Sequence, residues 1–411
     1  MLRILILILS ATFLTAGCQQ LAATHDASTS MQPVQISAPG IDAAEPATAA
    51  AEDGGFYVAW VNHDTKQADV ILARFNDKGA MQGSPVRVNR ATGAATAWRG
   101  DQPSLAVAPD GAVYVLWTAR VEEGEKRGTN IFLSTSHDRG QTFASEVKVN
   151  DDKGIVDHGM HSLAVAKDGR IYAGWLDERN VVQPMPSTKA EGHHVESNRD
   201  LFIAYSTDGG RTFSANQKVA SEACPCCKTA MTVAADGTLF AGWRQVLPGD
   251  FRHIAVATSV DGGETFSAPK IVSDDGWVIH GCPVSGPSLS VDSASGKLRV
   301  VWYAGSEDQK PGLYFAESSD KGQSFSARQL LAPETVHGTP AITAGKHDAI
   351  ALWQQAGSGE TRMRGLENAG SVARVALNAE LPAASYVNEK LFVAYIAKEK
   401  EKRSIWLMRA E

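Results

Sequence analysis

The octapeptide Ser206-Thr207-Asp208-Gly209-Gly210-Arg211-Thr212-Phe213 constrains this chain more than any other stretch, because it comes back. Ser136 to Phe143 and Ser259 to Phe266 follow the same pattern, and Ser318 to Phe325 repeats it with Ser in place of Thr. A motif Ser-x-Asp-x-Gly-x-Thr/Ser-Phe that returns in this way marks a chain assembled from similar units. The motif has its own turn chemistry. Its Asp accepts hydrogen bonds from backbone N–H groups further on, its Gly supplies positive φ, and its hydroxyl closes the loop. The aromatic then drops back between sheets as an apolar plug. The octapeptide is therefore a folding device before it is anything else.

A second repeat runs alongside the first. Pro103 to Trp117 and Ser162 to Trp175 each read as a short strand, an Asp-Gly turn and a second strand ending in an aromatic. The aligned aromatics are Trp60, Trp117, Trp175, Trp243, Trp302, Trp353 and Tyr395. Apolar residues alternate around the turns, which is the period of strands, and the Asp-Gly pairs suit hairpins. A third strand such as Leu201 to Tyr205 follows each aromatic, then the octapeptide, then a fourth strand such as Glu146 to Asn150. Four strands per unit is a β-propeller blade. The expected fold is all-β, a single propeller over residues 32–411, with seven blades favoured and six as the alternative. The last unit has no fourth strand of its own after Trp406 to Met408. Pro33-Val34-Gln35-Ile36-Ser37 resembles the missing strand, so the N-terminal strand is expected to close the ring, which leaves no exposed sheet edge.

The N-terminus reads as an export signal over residues 1–17: Arg3, then the apolar Ile4 to Leu9, then small residues up to Gly17. Leu14-Thr15-Ala16-Gly17-Cys18 resembles a bacterial lipobox, which implies lipidation at Cys18 and a flexible tether to residue 31. The implied location is the bacterial cell envelope. The chain would be lipid-anchored with the outer membrane favoured, facing periplasm or cell surface, and would touch the membrane only through that anchor. No later stretch approaches the ~18 apolar residues of a membrane-spanning helix. A net charge of -7 without a basic cluster argues against nucleic acid as a partner. A monomer binding a glycan or protein ligand, with no cofactor required, is expected.

The strand order puts the hairpin turns and the octapeptides on one face of the ring. The loops entering each first strand, and those leaving each second strand, lie on the other. Function concentrates in irregular loops on a rigid scaffold, so the second face is the expected site. The entering loops carry Trp98 to Gln102, Asp157 to His161, Cys224 to Lys228, His280 to Pro283, and His337-Gly338. Trp98, His158, His161, His280 and His337 are the candidate binding residues. The long excursion from Asn180 to Arg199, with His193 and His194, is a candidate lid. Cys224, Cys226, Cys227 and Cys282 fall in loops of neighbouring blades. In an oxidising compartment they would form a disulfide between those blades. The alternative is a soft-metal site, copper or zinc, built from Cys226, Cys227 or Cys282 with His161 or His280.

The octapeptide resembles the Asp-box of sialidases and of many other propellers, and that resemblance covers residues 33 to 411. In the enzymes three arginines hold the substrate carboxylate, a Tyr activated by a Glu is the nucleophile, and an Asp is the acid/base. The chemistry is coherent: a carboxylate favours bidentate guanidinium partners, and an anionic substrate disfavours a carboxylate nucleophile. By predicted face, the resemblance would place these roles on Arg99, Arg179 and Arg244, on Tyr303 with Glu178, and on Asp101. No Arg-Ile-Pro element precedes them, and the enzymes have six blades. Three functional classes therefore stand at this level: a ligand-binding module, a sialidase-type glycoside hydrolase, and a Cys/His-dependent metal or thiol role.

Overall fold

Each aligned aromatic marks the second strand of a four-stranded antiparallel sheet. In the first such sheet Asp42–Ala50, Phe56–His63, Ala68–Phe75 and Val86–Arg87 lie side by side. The computed structural model describes residues 31–64, 67–96, 101–181, 197–279, 281, 283–305, 311–344, 349–366, 372–399 and 402–410. These strands form seven blades, with blades 3 and 4 joined into one sheet through the pair Ala223↔Gln245. The innermost strands neighbour one another in chain order, and the last, Ala379–Val387, returns to the first, Asp42–Ala50. Seven blades therefore close a ring around a channel, and the six-blade alternative does not occur.

Closure happens as the N-terminal stretch suggested. Val34–Gln35 pairs antiparallel with Lys402–Ala410 and supplies the outer strand of blade 7. The Ile36 N–H donates to the Ile405 carbonyl at 2.8 Å, and the Ile405 N–H donates to Ser37 Oγ at 3.0 Å. Ile36 is buried with Phe56, Phe392 and Leu407, so the seam is apolar as well as hydrogen-bonded.

The six second-strand tryptophans are the largest fully buried side chains among the described residues, and their N–H groups find partners. Trp175 donates to Asp177 Oδ2 at 2.8 Å, Trp243 to Gln245 Oε1 at 2.8 Å and Trp302 to Asp275 Oδ2 at 2.7 Å. The Asp-boxes behave as turn devices. Asp208 accepts from Ser206 Oγ at 2.8 Å, from the N–H groups of Arg211 and Thr212 at 3.0 Å, and from Thr212 Oγ1 at 2.6 Å. Asp138, Asp261 and Asp320 are held in the same way. Gly210 lies at φ 83°, and a Cβ there would come 2.5 Å from Leu133 of the preceding blade. Each box is thus wedged against its neighbour, with Phe143, Phe213, Phe266 and Phe325 packed into the core between blades.

Candidate functional site

The channel wall has a sequence of its own. One residue before each second-strand aromatic pairs with Ala47, Ser104, Ser162, Ala230, Ser288, Ala341 or Ala383 on the innermost strand. All seven are Ala or Ser, because seven strands crowd one axis. The preceding position reads Pro46, Pro103, His161, Thr229, Pro287, Pro340 and Pro382. Proline suits it, since that strand edge faces the channel and needs no donor. One step further out, at the rim, the column is Glu45, Gln102, Met160, Lys228, Gly286, Thr339 and Leu381. Glu45, Met160 and Leu381 take positive φ of 54°, 52° and 47° beside breaks in strand register. Such bulges on non-glycine residues are strained backbone, which gathers at functional sites. Gly286 is required by closeness rather than by φ: a Cβ there would come 1.9 Å from the Lys228 carbonyl.

These columns enclose a cavity of about 260 Å³ into which all seven blades project. Thr48, Ser104, Ser162, Thr229, Ser288 and Thr339 supply hydroxyls from six of them, and Lys228 is the charged group in its wall. The proline repeat fails at blades 3 and 4, where His161 and Thr229 stand. Beside them lies a buried charged cluster. Lys228 Nζ donates to Asp101 Oδ1 at 2.9 Å and to the Gln102 carbonyl at 2.8 Å. His161 Nε2 lies 3.7 Å from Asp101 Oδ1, and its Nδ1 is 2.9 Å from Ser104 Oγ. Burial pushes the His161 imidazole down to about 3, so it is neutral. Burial also lowers Lys228, but the Asp101 carboxylate restrains the fall. Burial would raise Asp101, and the Lys228 ammonium reverses that, leaving its carboxyl below the usual range. Asp101 and Lys228 therefore form an ion pair inside the wall.

Next to Lys228 the chain makes a tight turn of thiols. The Cys227 N–H donates to the Cys224 carbonyl at 3.3 Å, and the Cys224 N–H to the Arg244 carbonyl at 2.8 Å. Cys224 Sγ is 3.4 Å from Cys227 Sγ and 3.9 Å from Cys226 Sγ, and all three residues are buried. The sulfurs of its two neighbours hold Cys224 well below the usual thiol range, and burial pushes Cys227 up. Cys224, Cys226 and Cys227 are not linked by a disulfide. A bridge to Cys282 lies outside the described residues.

The other sequence candidates fall into separate places. Trp98, Arg99, His280, Cys282, Cys18, His193 and His194 lie outside the described residues. His158 is buried with Nε2 at 3.1 Å from Asp152 and 3.3 Å from Asp177, and its Nδ1 faces the Thr129 carbonyl. Burial opposes its charge, but the two carboxylates win and raise it to about 9. Arg179 sits on the same knot, bonded to Asp177, Asp151 and Asn216 and stacked over Phe202. Glu178 pairs with Arg199. His337 pairs in register with Gln354 at the start of blade 6. The metal set expected with His161 needs correction, since both nitrogens of that ring face Ser104 and Asp101. The carboxylate clamp expected of Arg244 needs it too. Arg244 is fully buried, with Nε and Nη2 on the Ser285 carbonyl at 3.0 and 2.7 Å and Nη2 on that of Tyr303 at 2.8 Å. Tyr303 is buried edge-on to Trp277 in blade 5, while Glu178 is in blade 3, so the described residues do not join them as nucleophile and activator. Gln102, Cys224 and Lys228 lie in loops that the sequence marks as the expected site but without a catalytic, binding or metal role of their own, and Ser104 lies outside them. The signal that finds them is the sevenfold column and its exceptions.

Fold and site together define a seven-bladed Asp-box propeller whose chemical irregularity lies at one end of its channel. Residues 54–276, more than half of the chain, match the BNR repeat-like domain, and the chain belongs to that family. Among solved structures it is similar to an ulvan lyase of the polysaccharide lyases, bound to a glycan of GlcA and Rha3S. That match has TM-score 0.57 and 12% identity, and covers 92% of this chain and 95% of that one. It is similar to the NanB sialidase of Streptococcus pneumoniae, with TM-score 0.51, 12% identity and coverage of 83% and 69%. A protein of unknown function from Dyadobacter fermentans matches with TM-score 0.52, 13% identity and coverage of 92% and 97%. No curated protein matches the chain.

Proposed function

We propose that this protein binds a glycan, taking one sugar unit into the channel mouth beside blades 2 to 4. One observation carries the reading: a channel cavity lined by hydroxyl-bearing residues from six blades, with Gln102, Lys228 and Thr229 gathered in its wall at blades 2 and 4. A hydroxyl both donates and accepts, which is what a sugar presents. Those of Ser104, Ser162 and Thr229 also bond within the wall, and those of Thr48, Ser288 and Thr339 complete the set. The cavity, about 260 Å³, falls below the ~300–1,000 Å³ of drug-sized pockets, so it suits a single ring rather than a chain. Propellers of this fold include a lyase bound to a glycan, which agrees with that class of ligand. The hydrolase alternative would need Arg179 and Arg244 to face a substrate carboxylate, and both have their donors engaged. The reading extends to location: residues 1–17 as export signal and Cys18 as lipidated residue would present the site in the cell envelope.

Calorimetric titration of the whole protein with a panel of neutral and anionic oligosaccharides tests the proposal. Binding is expected with at least one, and Ser288→Tyr, which fills the channel at the ring of small residues, should abolish it while the melting curve stays cooperative. If no sugar binds, or if binding survives Ser288→Tyr, the channel mouth is not a glycan site.

A further inference from the structure

We infer that Cys224, Cys226 and Cys227 form a trigonal thiolate site for a soft monovalent cation, copper(I), independent of any glycan in the channel. Among the described residues the donor set is sulfur alone, and soft thiolates select copper(I) over harder ions. Its spacing fits a shared metal. Three sulfurs at ~2.3 Å from one ion in a plane stand ~4 Å apart, the distance that follows from ordinary metal–thiolate bonds. The observed separations from Cys224 Sγ are 3.4 and 3.9 Å, and all three sulfurs lie within 4.8 Å of one another. Little movement is needed to meet a common centre.

The turn is held in place from outside. The Cys224 N–H is bonded to the Arg244 carbonyl, and Arg199 Nη1 reaches the Pro225 carbonyl at 3.3 Å. The ligands are thus fixed by a rigid frame, which favours a defined geometry. Three thiolates and one copper(I) carry two negative charges. Arg244 and Arg252 are buried and both act electrostatically on Cys224, supplying two positive ones, although Arg252 also reaches the exposed Asp250 at 3.6 Å. Structural zinc sites call for four ligands, and the described residues bring three together. Cys226, at 9% exposure against 1% for its partners, marks the side on which copper would enter. Loading releases the thiol protons to solvent and involves no change of oxidation state, because the metal arrives as copper(I).

Titration of the full-length protein with copper(I), without oxygen and in competition with bicinchoninate, tests the site. Retention of one equivalent is expected, with near-ultraviolet thiolate-to-copper absorption and an X-ray absorption shell of sulfur only. Cys224→Ser and Cys227→Ser should each weaken binding by more than the ~10–100-fold typical of residues around a metal rather than on it. A second measurement does not depend on the variants folding. In the wild-type protein, copper(I) should shield Cys224, Cys226 and Cys227 together from alkylation, read residue by residue by mass spectrometry. Failure to compete with bicinchoninate, a nitrogen or oxygen shell, unchanged alkylation of the three cysteines, or preferential retention of zinc would each overturn the assignment.

Discussion

Lys228 of blade 4 and Asp101 of the loop entering blade 2 meet at 2.9 Å across the wall of the channel. Blade 3 lies between their blades, and its His161 completes the contact. An ion pair so placed is a poor source of stability, because both charges give up water to form it. Removing one partner is a different matter, since the other is left buried and uncompensated. Lys228→Met is expected to cost about 3–5 kcal/mol. The double change Lys228→Met with Asp101→Leu should recover most of that loss. Urea midpoints of the two variants would show it. If the double variant folds but no longer takes up a sugar, the pair serves the site rather than the fold.

His158 gives the protein an alkaline sensitivity. Its folded value of about 9 lies above the ordinary 6.5, so the protonated ring favours the folded state. The contribution is complete below pH 6.5 and disappears as pH rises through about 9, with a total on the order of 3 kcal/mol. Stability measured from pH 6 to pH 10 should therefore fall. His158→Gln, which keeps a donor toward Asp152 and Asp177 but cannot titrate, should flatten that slope. An imidazole signal that titrates near 6.5 in the folded protein would refute the assignment.

The Asp-boxes give the opposite sensitivity. The Thr212 hydroxyl and its other donors hold Asp208 at about 2, and Asp138 and Asp320 are similarly placed. A depressed carboxyl stabilises the fold above the ordinary value of 3.8 and loses that effect as pH falls toward 2. Asp208→Ala removes an exposed, solvent-screened set of bonds, so about 1 kcal/mol is expected, without change in ligand binding. An Asp-box variant that lost sugar binding while keeping its melting temperature would move the site to the other face.

The fold was legible because its determinants are local and repeated. The Asp-box, the Asp-Gly hairpins and the buried second-strand aromatics each state a turn or a strand, and Pro33 to Ser37 declared the closure. The site was legible only as a face. Arg244 sits where a functional arginine would, yet its donors meet carbonyls of Ser285 and Tyr303, residues distant in sequence. His161 reads as a loop histidine in the sequence, whereas it lies in the strand His158–Val165, where burial keeps it neutral. Cys224 does not read as a ligand in the sequence, because spacing alone does not show that a Cys-Pro-Cys-Cys turn brings its first and last sulfurs to 3.4 Å.

Ring closure rests on very few residues. Only Val34 and Gln35 pair as strand, and Ile36 is the buried anchor beside them. Ile36→Ala should cost about 2–5 kcal/mol, the range for emptying a buried aliphatic site. Because the seam ties the first residues of the ring to the last blade, loss should appear as a lower melting temperature of the whole propeller. Local fraying of blade 7, seen as fast amide exchange confined to residues 402–410, would mean that the other blades hold without the seam.

Arg244 separates the functional readings most sharply. It touches the Tyr303 carbonyl at 2.8 Å, stacks on Trp277, and offers its own carbonyl to Cys224. Arg244→Met keeps much of the apolar bulk but leaves the Ser285 and Tyr303 carbonyls without a donor, so a loss of about 3 kcal/mol is expected. It also removes one of the two positive charges facing the thiols, so copper(I) affinity should fall even in the fraction that stays folded. Sugar binding in the channel, which Arg244 does not line, should persist in that fraction. Tyr303→Phe deletes one phenolic hydroxyl and should cost only about 1 kcal/mol, with binding of both ligands intact. A sialidase would behave otherwise: losing the guanidinium would abolish recognition of an anionic sugar, and losing the phenol would abolish turnover. Hydrolysis of a sialoside by the wild type, lost in both variants, would restore the enzyme reading.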